Sequence, residues 1–143
     1  MRYKKKMPKE VKSIAEYHLR FYEANKRALS RYRRDLMPSN TPDYSGIGGS
    51  HNGESRPVER LAVKIATDRY IFQLEESTAA VEEICDKLRA QDRRLIELVY
   101  WQRSYTVRGA AEKLHMDTST AYDHINSVLY DIAVLLGYIR NPE

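Results

Sequence analysis

The stretch that most constrains the fold is Thr106–Leu129, TVRGAAEKLHMDTSTAYDHINSVL. Thr106 is a capping residue type, and Val107, Ala110, Ala111 and Leu114 follow it on one face of a short helix. Leu114-His115-Met116 then makes a tight turn. Asp117 caps a second helix, with Ala121, Ile125, Val128, Leu129 and Ile132 inward at i, i+3/i+4, i+7 spacing. Ala111 is small where the two helices must cross closely, and Met116 is an apolar plug for the turn. The second helix opens on small polar residues, Thr118, Ser119 and Thr120. A recognition helix needs that, because its first turn must enter the major groove and reach base edges. The pattern predicts a helix-turn-helix; a purely structural hairpin is the competing reading.

The charge distribution runs against a self-sufficient DNA reader. From Thr118 to Ile139 there is no Lys or Arg, and Arg103–Glu143 holds four basic residues against five acidic ones. Phosphate neutralisation supplies much of DNA affinity, so this module alone is expected to bind weakly. The missing charge lies at the other end. Residues 1–35 contain twelve Lys/Arg against four acids, a net of +8, whereas the remaining chain has twelve against sixteen, a net of −4. The overall +4 therefore hides a basic N-terminal arm and helix, including Lys4, Lys5 and Lys6, on a mildly acidic body. Such asymmetry suggests a polyanionic partner, with a merely solvated basic face as the alternative.

The rest of the chain predicts an all-α fold. Pro8 suits the first turn of a helix from about residue 8 to 35, whose apolar stripe includes Val11, Ala15, Leu19 and Tyr22. Residues 38–56 are rich in Gly, Ser, Asn and Pro and read as a flexible loop. Gly46-Ile47-Gly48-Gly49 is no phosphate loop, since no Gly-Lys-Ser/Thr follows and no strand precedes it. Ser55 is expected to cap a long helix from about 57 to 89, with Pro57 in its first turn. Tyr70, Leu74, Val81, Ile84 and Leu88 form a 3.5-period seam interrupted by Ser77. Asp92 begins a further helix, DRRLIELVYWQ, expected to be the central core element with Trp101 inside. The segments are a basic arm and helix (1–37), the loop (38–56), a connecting and oligomerising helix (57–91) and the helix-turn-helix domain (92–143). The excess apolar surface on the two long helices predicts a homodimer or higher oligomer.

Several classes are excluded. Arg2–Lys6 is not followed by the apolar run of a signal peptide, and no stretch approaches a membrane span, so a cytoplasmic location is expected. Cys85 is the one cysteine and reads as a small core residue. His18, His51, His115 and His124 are scattered without a second ligand at helical spacing, so neither a metal nor another cofactor is expected. No nucleophile motif frames the Ser, His and acidic residues, and an enzyme is not expected.

The runs SRPVERLAVKIATDRY (55–70), DRRLIELVYW (92–101) and TVRGAAEKLHMDTSTAY (106–122) resemble the RinA family of phage late-gene transcriptional activators. Weaker similarity extends to ArpU-type phage regulators and to the DNA-binding fourth region of bacterial sigma factors. Ser55-Arg56-Pro57-Val58-Glu59 with Leu61-Ala62 is the most specific piece. The resemblance implies sequence-specific binding to double-stranded DNA upstream of phage structural and packaging genes, with recruitment of RNA polymerase. Two positions depart from the pattern. His115 stands where such turns commonly have Gly and must adopt a strained or left-handed-like conformation, and Asp123 and His124 stand where the recognition helix commonly has Arg or Lys.

On this reading a recognition helix at about 118–136 reads bases through Ser119, Tyr122, Asp123 and Asn126, with Thr118 at the groove edge. Asn pairs bidentately with adenine and Asp accepts from the cytosine amino group. Arg103, Tyr105, Thr106 and Arg108 hold phosphates at the start of the first helix, joined by Lys4, Lys5 and Lys6. Two rivals share these features: a small-terminase-like DNA-packaging subunit, and an adaptor whose sigma-like fold docks on RNA polymerase.

Overall fold

A computed structural model describes residues 6–36 and 57–140, and among these every regular element is helical. The protein is all-α. The elements are α1 (Lys9–Arg20), α2 (Tyr22–Leu36), α3 (Pro57–Asp86), α4 (Ala90–Ile96), α5 (Val107–Lys113) and α6 (Thr118–Leu135). The Gly-rich loop and the Ser55 cap lie outside the described residues.

The N-terminal helix predicted as one piece is two. Pro8, with no N–H to leave unsatisfied, precedes α1 and accepts from Lys12 N–H at 3.0 Å. Phe21 (φ −96°, ψ 11°) interrupts the run, although its N–H still reaches Tyr17 O at 3.0 Å and its carbonyl accepts from Asn25 N–H at 2.8 Å. The interruption lets both pieces pack on α3. α2 runs antiparallel to α3, because Tyr22 meets Glu82 at 2.8 Å, Arg33 meets Glu75 at 3.7 Å, and the Tyr32 ring meets the Tyr70 ring at 5.4 Å. The seam residues Leu74, Ser77 and Val81 are thereby buried within the same chain. The first half of α3 has no such cover among the described residues: Val58, Leu61, Val63, Ile65 and Phe72 stay exposed.

α4 starts at Ala90, two residues before the expected Asp92, and passes directly into a π-helical segment, Glu97–Trp101. Gln102 N–H donates to Glu97 O, five residues back, at 2.7 Å. The wider turn lets a nearly all-apolar run face inward: Leu95, Ile96, Leu98 and Tyr100 are buried, and Val99 and Trp101 are half-buried. The core sits where α1, the end of α3, α4, α5 and α6 meet. Leu19, Leu95, Ile96, Leu98, Leu129, Ile132 and Val81 are its largest fully buried side chains, each contributing about 1.5–3 kcal/mol by removal from water. Trp101 fastens α1 to this core, its Nε1–H donating to Leu19 O at 3.0 Å while its ring lies 5.4 Å from that of Tyr22. Cys85 is buried, which pushes its thiol up to about 11.

α6 ends on Gly137 at φ 83°. Gly137 N–H donates to Val134 O at 3.1 Å and Tyr138 N–H to Ala133 O at 2.9 Å, a Schellman closure. No helix among the described residues is long and apolar enough to cross a membrane.

Candidate nucleic-acid interface

The helix-turn-helix pattern becomes two helices, α5 and α6, joined by residues 114–117. Thr106 caps α5 as expected, its Oγ1 accepting from Gly109 N–H at 3.1 Å. A Cβ on Gly109 would come within 3.3 Å of that oxygen, so a larger residue crowds the cap. The turn closes by a second Schellman pattern: His115 N–H donates to Glu112 O at 3.2 Å and Met116 N–H to Ala111 O at 3.0 Å. His115 therefore sits at φ 57°, in the left-handed region that glycine would occupy without strain. Gln91 on α4 buttresses the turn, its Nε2 donating to Leu114 O at 2.8 Å. Asp117 occupies the cap position of α6 without a side-chain capping bond.

The inward residues of α6 are those the periodicity predicts: Ala121, Ile125, Val128, Leu129 and Ile132 are all buried. Ser119 and Asp123 are exposed, Tyr122 is 47% exposed, and Thr118 is half-buried at the edge. These residues fall on one side of the first two turns of α6, so the helix offers a short polar face. Asn126 is placed differently. It is half-buried, and its Oδ1 is covered with no hydrogen-bond partner among the described residues. A bidentate contact with adenine would require the amide to turn outward, a motion that breaks no bond at that oxygen. His124 faces away from this side, its Nδ1 2.6 Å from Asp92 Oδ1, and ties α6 to α4.

The predicted phosphate contacts gather before and within α5. Arg103 is exposed, with its backbone at φ 52° and its guanidinium 5.4 Å above the Phe21 ring. Tyr105 is half-buried and accepts from Lys113 Nζ at 3.1 Å. Thr106 is exposed, but its hydroxyl is engaged as the cap. Arg108 is exposed and pairs loosely with Glu112 at 3.7 Å. Lys6 is exposed at the start of the described chain, and Lys4 and Lys5 lie outside the described residues.

Sequence reasoning missed how closely α1 is joined to this region. Tyr100 OH donates to Glu16 Oε2 at 3.2 Å, and the Arg20 guanidinium lies 5.9 Å from the Tyr100 ring. Burial, then the Glu16 carboxylate, raises the Tyr100 phenol above its ordinary range, and Tyr122 contributes to the same shift. Helix α1 thus packs against both α6 and the π-helical segment. Only the apolar stripe of α1 hinted at this packing. Among the described residues no group of three His, Cys, Asp or Glu is placed to hold a metal ion.

Fold and site together define an all-helical protein in which a C-terminal helix-turn-helix is built into the same core as α1 and the end of α3. Neither a curated protein nor a solved structure matches the chain. The chain belongs to the family described as protein of unknown function DUF722, which matches residues 6–134.

Proposed function

We propose that the protein is a sequence-specific DNA-binding regulator of transcription that inserts the first turns of α6 into the major groove. The carrying observation is the exposed polar side of Ser119, Tyr122 and Asp123 on a helix set by a tight, bonded turn. Arg103 and Arg108 flank that helix as phosphate contacts. The resemblance to phage late-gene activators supplies the biological setting: binding upstream of late genes in the bacterial cytoplasm, with RNA polymerase as the second partner.

The test is a footprint on DNA upstream of the late genes adjoining the protein's own gene, repeated with variants. Tyr122→Ala is expected to weaken specific binding by about 1–3 kcal/mol with helix content intact. Asn126→Ala is expected to do the same only if the amide turns outward on binding. No footprint with the intact protein, or unchanged affinity in a Ser119→Ala/Tyr122→Ala double variant, rejects the major-groove assignment.

A further inference from the structure

α2 carries its positive charge on two sides, and the two sides have different fates. Lys26 and Arg33 turn toward α3, where they pair with Glu82 at 3.5 Å and Glu75 at 3.7 Å. Arg27, Arg31 and Arg34 point elsewhere, at i, i+4, i+7 spacing along one face. All three are exposed, and none has a carboxylate partner among the described residues. They line one wall of an open groove of about 900 Å³, with Trp101 and Gln102 from the end of the π-helical segment on the other side.

Two carboxylates also line the groove, Glu23 and Glu97. Glu97 is already neutralised by Arg94 at 2.9 Å, leaving Glu23 against three arginines that have no carboxylate partner among the described residues. The balance is positive, and a concave wall of guanidinium groups suits the convex ridge of a phosphate backbone. Seven residues of helix put Arg27 and Arg34 about 10 Å apart, roughly three base-pair steps along a strand.

A chain of contacts joins this groove to the proposed phosphate contacts. Arg20 stands over Tyr100, and the neighbouring Phe21 ring carries Arg103. Arg103 in turn follows Gln102 on the groove wall. We propose that Arg27, Arg31 and Arg34 form a second DNA-contact surface, gripping the backbone beside the site that α6 reads. This rests on the DNA-binding function proposed above. The strip supplies the charge that the acidic-neutral α6 lacks, and it contributes affinity without sequence preference.

The experiment measures binding of the full chain to its footprinted duplex and to a scrambled duplex across a range of salt. Three proteins are compared with the intact one: Arg27→Gln/Arg31→Gln/Arg34→Gln; a charge-matched Arg60→Gln/Lys64→Gln/Arg69→Gln on the far half of α3; and Ser119→Ala/Tyr122→Ala. The groove variant should keep its melting temperature, since its three side chains are exposed. The slope of log K against log salt should become shallower by up to about 0.9 per lost arginine, with roughly ten- to several-hundred-fold weaker binding at 0.1 M salt. The loss should be equal on both duplexes, while the α3 variant keeps the original slope.

An unchanged slope in the groove variant overturns the proposal, and so does an equal change in the α3 variant. An unchanged DNA slope together with lost binding to polyglutamate also overturns it, in favour of an acidic protein partner. Failure of the base-reading function looks different: the Ser119→Ala/Tyr122→Ala protein would then discriminate between the duplexes no worse than the intact one, whatever the groove variant does.

Discussion

The two halves of α3 carry similar apolar patterns and meet opposite fates. From Leu74 to Cys85 the helix buries Leu74, Ala80, Val81 and Cys85 against α1, α2 and the core. From Val58 to Phe72 it leaves Val58 77%, Leu61 57%, Ile65 46% and Phe72 60% exposed. Periodicity in a sequence says which face wants cover. Whether cover comes from the same chain depends on where other helices pack, and the described side-chain contacts of α2 run along α3 from Glu82 through Glu75 to Tyr70. The uncovered half is where we expect a second copy to pack, while the covered half belongs to the fold of one chain.

The strongest break of this comparison is Val81→Glu. Val81 is fully buried, and a carboxylate there has no partner, so a loss of about 3–5 kcal/mol is expected. Chemical denaturation should show a protein largely unfolded whatever its concentration. Leu61→Glu, alone or with Ile65→Glu, should behave in the opposite way. Thermal stability of the isolated chain should move by no more than about 0.5 kcal/mol. Sedimentation at tens of micromolar should show an assembled intact protein and a monomeric variant; a monomeric intact protein removes the dimer expectation.

A third test probes the covered half by pH. His18 shares a 2.7 Å hydrogen bond with Ser77, and burial lowers its pKa below 6.5. The unfolded chain therefore takes up this proton first. The contribution of His18 to stability is full above about pH 6.5 and declines as pH falls toward the folded-state value. His18→Gln should flatten that part of the stability curve. A slope unchanged in the variant would move the acid sensitivity to another group. The smallest effect is expected at the boundary between the halves: a double-mutant cycle on Arg33 and Glu75 should give under about 1 kcal/mol, because both side chains are largely solvated.

Much of the architecture was legible because it follows from short-range rules. The Thr106 cap, the left-handed His115 and the inward face of α6 all arise from a few neighbouring residues. The features that were not legible depend on distant partners or on competing local geometries of nearly equal energy. Nothing near Phe21 is a proline or glycine, so its helix break has no sequence marker. The π-helical turn at Glu97–Trp101 leaves no marker either, since its run of apolar residues reads equally well as an ordinary core helix. Of the seam on α3, Leu74 and Val81 are buried but Tyr70 is exposed, and the cover within the chain is a long-range contact. At the candidate site, the side of α6 facing solvent was readable from its period. The covered oxygen of Asn126 was not, because the helix period alone places Asn126 beside the exposed Tyr122 and Asp123.

The bond from Trp101 to the Leu19 carbonyl has a consequence for inheritance. A recognition motif can be exchanged between proteins as a cassette only if it carries its own hydrophobic support. Here part of that support comes from α1, almost a hundred residues earlier in the chain. Residues 92–143 cut loose would expose the faces that Ala15 and Leu19 cover. Recombination that kept the motif and discarded the first helix would yield a chain without a complete interior. The extent of the family match fits that constraint, since it begins at residue 6, just before α1, and ends at residue 134 in the last turn of α6. The unit that can be passed on intact is the whole helical assembly.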